Sequence, residues 1–220
     1  MPHPFPPPDA RFPLILPDGT PHEGTVFRKA VIDRPQFTAG DYSYASVDTP
    51  PTDWLARLAP YLFPQSTERL ILGKFCQIAD GATFVTASAN HRKDGFSTYP
   101  FAVFDGGFDT DRASLPGGGP DTVLGHDVWL GRNVTVLPGA RLGDGVIVGT
   151  GAVEGGVVPP YAVVASNPGR VVRLRFVPDT VARLQQIAWW DLPIEAILTH
   201  ESAICGADLA VVEAAATQIR

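Results

Sequence analysis

Aliphatic residues recur at an interval of six along the middle of the chain, and glycine often follows them. The positions are Leu124, Leu130, Val136, Leu142 and Val148, with an earlier block at Leu72, Ile78 and Phe84. An α-helix needs apolar spacings of three and four, and recurrent glycine weakens a flat strand. A chance interval in an ordinary sheet is the alternative. We predict an all-β solenoid of triangular coils, with short strands stacked at the parallel spacing and the aliphatic side chains inside.

The two blocks are out of register with each other, since the 40 residues from Phe84 to Leu124 are not a multiple of six. The intervening segment, about 86–122, lacks the repeat and is rich in polar, aromatic and glycine residues. We expect an excursion loop here that leaves the solenoid. Long loops in compact domains often carry function.

The flanks of the repeat have different characters. Residues 1–24 are rich in proline and predict an extended arm, while 25–176 form the β-helix domain. The segment WLARLAPYL at 54–62 predicts a short helix with Trp54, Leu55 and Leu58 inward. Residues 177–220 predict a tail of three helices, beginning near Pro178 with Asp179 or Thr180 as cap, at Pro193, and at Asp208. We expect these helices to cover the open end of the solenoid.

Composition excludes several classes of function. The net charge is −6 and no basic run is present, which argues against a nucleic-acid partner. Cys76 and Cys205 lie far apart without metal-type spacing. The first residues lack the features of a secretory leader, and no apolar stretch is long enough to cross a membrane. We expect a cytoplasmic protein with reduced thiols.

Two histidines lie in or beside the predicted solenoid. His91 comes early in the excursion, and imidazole is the side chain best suited to move a proton near neutral pH. A solvated loop histidine is the alternative. His126 occupies a turn beside Asp127, where an exposed structural residue is expected. Three suitable imidazoles are not evident, so we expect no metal site.

Aromatic, glycine and arginine residues offer candidate ligand contacts. Tyr42, Tyr44, Tyr99 and Phe101 suit either an acceptor pocket or core packing. The glycine-containing turns from 143 to 156 match no phosphate loop, yet they leave room for a long, thin ligand along the prism, at Gly149 and Gly151 among others. Arg170, Arg173 and Arg175 together suit the phosphates of an adenosine nucleotide, although each alone is more typical of a solvated edge.

Six segments resemble the xenobiotic acetyltransferases, the hexapeptide-repeat family that includes streptogramin and B-type chloramphenicol acetyltransferases. The resemblance covers about residues 25–198, and the NHRKDGFSTYPF stretch is its most specific part. The segments are GDYSY at 40–44, GKFCQIADGATF at 73–84, ANHRKDGFSTYPF at 89–101, DTVLGHDVWLGRNVTVLPGARLGDGVIVGTGAV at 121–153, PPYAVVASNPGRVVRLRF at 159–176 and WWD at 189–191.

This resemblance implies a left-handed parallel β-helix that assembles as a homotrimer. It implies transfer of an acetyl group from acetyl-CoA, a cosubstrate, to a hydroxyl of an antibiotic-like or other xenobiotic small molecule. His91 takes the position of the family's catalytic base, and Trp129 lies near the reactive arm of the cosubstrate. Tyr42 and Tyr44 take the positions of acceptor contacts.

The chain departs from the family pattern at two turns. Gly155, Gly156 and Val157 replace a Thr-Lys-Asp turn and remove a cation, while Arg170 preserves the positive charge of a Gly-Asn-Pro-Ala-Lys segment. Two other functions remain open. One is an acyltransferase acting on a sugar or nucleotide-sugar amine, and the other is a non-catalytic trimeric scaffold.

Overall fold

The computed structural model describes residues 4–106, 112, 114–115 and 117–219. Short strands dominate its centre, and helices dominate its C-terminal part. The strands are β1 Thr25–Phe27, β2 Phe37–Ala39, β3 Tyr44–Ser46, β4 Leu70–Leu72, β5 Gln77–Ile78, β6 Thr83–Phe84, β7 Thr122–Leu124, β8 Trp129–Leu130, β9 Thr135–Val136, β10 Arg141–Leu142, β11 Ile147–Val148, β12 Val153–Glu154, β13 Val157–Val158, β14 Ala162–Ala165 and β15 Arg170–Leu174. The α-helices are α1 Arg28–Val31, α2 Trp54–Leu58, α3 Phe101–Phe104, α4 Pro178–Ile187, α5 Ile194–Thr199, α6 Glu201–Cys205 and α7 Leu209–Ile219.

The strands form three sheets, which are the three faces of a prism. The seven-stranded face has the order β1-β3-β5-β8-β11-β14-β15, the five-stranded face β13-β10-β7-β4-β2, and the three-stranded face β12-β9-β6. From β1 to β14 consecutive strands lie on different faces, so the chain winds around the prism. Pairing between successive coils is parallel, and the antiparallel strands β1 and β15 lie at the two edges of the seven-stranded face. The architecture is a parallel β-helix.

The residues of the six-residue register form the interior, as predicted. On the five-stranded face Leu72 pairs with Leu124 and Leu124 with Leu142; equivalent ladders run through the other faces. All eight predicted inward residues are at most 3% exposed. Burying aliphatic area of this kind is the main favourable term in folding, at about 25 cal/mol per Å².

Between Phe84 and Thr122 the chain leaves the ladders. A 3-10 helix spans Ala87–Ala89 and α3 spans Phe101–Phe104, and the described residues of this segment form no strand. Leu72 and Leu124 pair although 52 residues separate them, whereas successive coils elsewhere repeat after 18, as from Leu124 to Leu142. The segment is therefore an insertion between two coils that still pair directly with each other. It departs from the corner that joins the three-stranded face to the five-stranded face.

Helix α2 confirms the helix predicted at WLARLAPYL. The Asp53 carboxylate accepts hydrogen bonds from the N–H groups of Leu55 and Ala56, which caps the helix, and Trp54, Leu55 and Leu58 are buried. This capping leaves the first backbone donors satisfied, which is why so short a helix persists. The helix packs against β6 at the side of the prism.

The C-terminal helices cover a corner of the prism, so the expectation that they cover its open end is wrong. Trp189 packs on Phe75, Trp190 stacks on His126, and Gln185 bonds to Asp144; these three partners lie at the same corner in successive coils. The reason is that this corner presents aromatic and polar side chains that the apolar tail can cover. The edge of the seven-stranded face is instead completed by β15.

Other details of the tail also differ from expectation. Helix α4 starts at Pro178 with Val177 as its cap residue and no side-chain cap, so neither Asp179 nor Thr180 caps it. Proline at the first helical position needs no such cap for its own nitrogen, because it has no N–H. Leu198 in α5 is exposed, and α6 is an additional short helix.

Candidate active site

The corner between the five- and seven-stranded faces is built from residues with left-handed backbone. Tyr42, Phe75, Asp127, Gly145 and Tyr161 occupy equivalent turns, with φ between 54° and 66°. We call these residues the corner column. A non-glycine residue rarely adopts this conformation, and four of the five positions nevertheless carry large or polar side chains. The column therefore places chemically distinctive groups along one edge of the prism.

Trp129 projects from the seven-stranded face beside a cavity of about 260 Å³. Tyr44, from β3, lines the same cavity, as do Gln77 and Arg132. The alternation of inward and outward positions explains this placement, because Leu130 points into the core and Trp129 away from it. Trp129 and Tyr44 are thus two of the sequence-predicted site residues that the structure brings together. The indole is 48% exposed and available to a ligand.

Charged residues close one side of this cavity. The Arg132 guanidinium contacts Asp48 at 2.7 Å and Asp80 at 3.2 Å, and Arg57 donates to the other oxygen of Asp80 at 3.0 Å. The Asp48 side chain also lines the cavity. Sequence analysis missed this cluster. The coil register contained a signal for it, since the same 52-residue offset that pairs Ile78 with Leu130 places Asp80 beside Arg132.

His91 lies on the excursion, just after the 3-10 helix, and its side chain is exposed. Its Nδ1 lies 2.9 Å from the Thr98 carbonyl oxygen, which can only accept, so Nδ1 carries the proton. In the neutral ring Nε2 is then the unprotonated nitrogen. This hydrogen bond orients the imidazole and leaves Nε2 as the atom able to accept a proton. Sequence analysis could not identify a backbone partner.

The root of the excursion is held by a buried carboxylate. Glu68 is 2% exposed and accepts a hydrogen bond of 2.7 Å from the Ser88 N–H, within the 3-10 helix. Burial, the largest single effect, raises the pKa of Glu68, but the hydrogen bonds from Ser88, from its own backbone and from Thr86 together hold the pKa below its usual value. A carboxylate that keeps its charge at this point fixes the segment from which His91 emerges.

The structure separates Tyr42 from Tyr44. Tyr42 stacks on Phe75 with ring centroids 5.1 Å apart and meets Phe27 edge to face. Tyr99 and Phe101, on the excursion, pack on each other and remain half exposed or more. Neither of these two residues lies in the core. The aromatic candidates therefore fall into three separate places.

His126 is half-buried in the first turn after β7, which corrects the expectation of an exposed turn residue. Its ring lies parallel to Trp190 with centroids 5.0 Å apart, and its Nδ1 accepts a hydrogen bond from the Lys74 N–H. Burial lowers the pKa of His126. Within the described residues no group of three or more His, Cys, Asp or Glu side chains is arranged to hold a metal ion. His126 is thus a packing residue between the prism and its tail.

The glycines chosen for cosubstrate contact lie at the far end of the seven-stranded face. Gly151 has φ of +72°, and a side chain there would meet nothing within 4 Å, so the space beside it is open. Gly149 lies against the Val164 carbonyl oxygen. Arg170 begins β15, directly after Gly169, whose N–H donates to the Val153 carbonyl. Arg170 is exposed at this last coil.

Arg175 is used differently from Arg170. Its Nη1 donates to the Gly145 carbonyl oxygen at 2.7 Å and its guanidinium lies over the Tyr161 and Phe176 rings. It also lies 3.6 Å from the Asp127 carboxylate. The three arginines of 170–175 therefore do not act as one cluster.

The turn that departs from the family pattern has an internal partner. Glu154 occupies an inward position and is 7% exposed, and its carboxylate accepts hydrogen bonds from the N–H groups of Gly155 and Gly156. Because these donors are satisfied by Glu154, the turn offers neither a cation nor free N–H groups to a phosphate.

Comparison with known proteins agrees with this architecture. The profile described as bacterial transferase hexapeptide, six repeats, matches residues 121–153. A chloramphenicol acetyltransferase from Agrobacterium fabrum is 37% identical over 178 residues, which cover 77% of this chain and 84% of the relative. One from Escherichia coli is 33% identical, covering 87% and 92%, and a virginiamycin A acetyltransferase from Staphylococcus aureus is 35% identical, covering 83% of each chain. The similarity therefore extends well beyond the repeat.

Proposed function

The chain belongs to the hexapeptide-repeat acetyltransferases that include the chloramphenicol and virginiamycin A enzymes, and we propose that it transfers an acetyl group from acetyl-CoA to a hydroxyl of a small, antibiotic-like molecule. The observation that carries the proposal is the hydrogen bond from His91 Nδ1 to the Thr98 carbonyl, which leaves Nε2 free to accept a proton. A histidine held in this tautomer is suited to act as a general base.

The proposed reaction is direct transfer. His91 Nε2 takes the proton of the acceptor hydroxyl as its oxygen attacks the thioester carbonyl and forms the new C–O bond. The tetrahedral intermediate collapses with cleavage of the C–S bond. The CoA thiolate leaves and takes up the proton held by the His91 imidazolium, which restores the neutral base. No covalent enzyme intermediate is required.

We assign acetyl-CoA to the seven-stranded face. Trp129 supports the reactive arm, because its indole is exposed beside a cavity. Gly151 borders open space, Gly149 lies in the same turn, and Arg170 supplies a positive charge for the adenosine phosphates. Tyr44 and Tyr42 are assigned to the acceptor, Tyr44 from the same cavity and Tyr42 from the turn before β3.

We propose that the active site forms between copies in a homotrimer of left-handed β-helices, the arrangement expected for this family. The excursion with His91 leaves from the corner opposite the face that carries Trp129, and none of its described residues lines the Trp129 cavity. A neighbouring copy supplies the missing partner. Exposed aromatic side chains on the excursion, Phe96, Tyr99, Phe101 and Phe104, are suited to lie against it.

An acceptor screen tests the proposed activity. The purified protein is incubated with acetyl-CoA and chloramphenicol, virginiamycin A or glucosamine, and thiol release is followed while products are identified by mass spectrometry and NMR. We expect thiol release with a hydroxyl acceptor and an O-acetyl product. Release with the amine alone would contradict the proposal, as would the absence of acetyl-CoA binding by calorimetry. Since acetyl-CoA is a cytoplasmic metabolite, we place the reaction in the cytoplasm.

A further inference from the structure

A second cavity lies between the corner column and the C-terminal helices, and it shares no lining residue with the Trp129 cavity. Its volume is about 520 Å³, within the range of small-molecule sites. Helices α4, α6 and α7 supply half of its lining residues, among them the apolar side chains of Leu184, Ile204, Leu209 and Val212. The cavity is therefore built by the tail and is separate from the proposed chemistry.

The buried polar group of this cavity lies on the wall formed by the prism, whereas the tail adds Thr180 and the exposed Cys205 and Asp208. Tyr161 is 2% exposed, and among the described residues its buried hydroxyl makes no hydrogen bond of normal geometry, with the Trp189 side chain as a nearby donor. A buried hydroxyl without a partner costs free energy, so its presence at a cavity wall is a signal for a ligand. The ring lies against Gly145, where any side chain would collide with it.

Asp127 and Arg175 line the same wall as Tyr161, with Arg175 over its ring, and they limit the charge of an occupant. They lie 3.6 Å apart, and Asp127 also accepts a hydrogen bond from Gln77. Burial raises the pKa of Asp127 to about 6, consistent with poor access of water to this wall. An anionic ligand would meet the Asp127 carboxylate, and a cationic ligand would meet the Arg175 guanidinium. A neutral group that both accepts and donates a hydrogen bond suits this position best.

We propose that this cavity is a binding site for a neutral small molecule with an apolar body and a single hydroxyl group. The hydroxyl oxygen accepts from the Tyr161 O–H, and its proton is donated to the Asp127 carboxylate. The apolar body lies among the side chains of α4, α6 and α7.

The test uses 4-propylphenol as the probe, titrated by calorimetry and ligand-observed NMR into the full chain without acetyl-CoA. Three matched compounds vary its polar group: 4-propylanisole cannot donate, 4-propylbenzoate is an anion, and 4-propylbenzylamine is a cation. We expect one equivalent of the phenol to bind, and each of the other three to bind at least tenfold more weakly. No binding of the phenol at millimolar concentration, or equal binding of the anion or the cation, would overturn the proposal.

Variants locate the binding. Leu209→Trp fills the cavity and is expected to remove the binding of 4-propylphenol, whereas Val211→Trp, at an exposed position of the same helix, leaves the affinity unchanged. Tyr161→Phe removes only this hydroxyl and should weaken binding of the phenol about tenfold. Unchanged phenol binding in folded Leu209→Trp and in Tyr161→Phe would place the probe elsewhere and overturn the site.

Discussion

At the scale of single residues, one hydrogen bond decides which nitrogen of His91 can take a proton. The Thr98 carbonyl holds Nδ1–H, and Nε2 is left for the acceptor. Residue type and position made His91 a candidate and the family resemblance supplied its role, but its partner is a backbone atom that carries no sequence signal. The Asp80–Arg132 contact differs, because the coil register places two complementary side chains at equivalent turns. Side-chain partners of this kind can be predicted once the repeat is known.

Asp127 gives a pH-dependent prediction. Its pKa is raised to about 6 in the folded protein, chiefly by burial, so the folded state holds a proton that the unfolded state has lost between about pH 4 and 6. Its contribution to stability therefore falls as pH rises through this window, by at most roughly 3 kcal/mol. Asp127→Asn should remove this fall. Urea unfolding of both proteins from pH 4 to 8 measures the free energy of unfolding. Parallel plots of this free energy against pH for the two proteins would contradict the prediction.

Arg170→Ala should weaken acetyl-CoA binding roughly tenfold and leave the fold intact, because an exposed charge at the last coil is lost without removing any core contact. Calorimetric titration with acetyl-CoA measures the affinity. Arg34→Ala, which precedes β2 at the opposite end of the prism, is the matched control. Equal affinity in both variants would remove Arg170 from the site.

At the scale of elements, the six-residue register predicts the interior well because every coil repeats the same inward position. The tail was harder to place. Its helices could be predicted from their apolar periodicity, but the surface they cover is assembled from turns far apart in sequence, such as Phe75 and Tyr161. Strand β15 was missed because it follows the last repeat and pairs antiparallel.

The interior of strand β10 offers a direct test of this account. Leu142→Asp should destabilise the domain by several kcal/mol, because it buries a carboxylate without a partner. Arg141→Asp, one residue earlier, changes an exposed position of the same strand and should be nearly neutral. Thermal and urea unfolding compare the two. Similar stability of both variants would show that the register assigns the wrong face to the core.

At the scale of the whole molecule, the proposed site depends on assembly. A closed triangular prism places the root of the excursion opposite the face that carries Trp129, a relation that no single segment of the sequence contains. The sequence predicted both residues separately, through their resemblance to a family. How His91 and Trp129 meet depends on the stacking of the coils and on neighbouring copies, so local sequence patterns could not predict it.

Mixed assemblies test the shared site. His91→Ala and Trp129→Glu should each be inactive alone, the second because a carboxylate repels the anionic cosubstrate. Co-expressed in equal amounts and purified together, they should recover about a quarter of the wild-type turnover, since that share of interfaces pairs an intact His91 with an intact Trp129. A mixture no more active than its components would indicate that both residues act within one chain.

The most direct measurement of the central claim is turnover of His91→Ala with a good alcohol acceptor at saturating substrates. The account predicts a loss of roughly 10² to 10⁴ in rate, with acetyl-CoA affinity nearly unchanged. His200→Ala, in the tail, is the control. A His91→Ala protein that keeps most of its turnover would contradict the account.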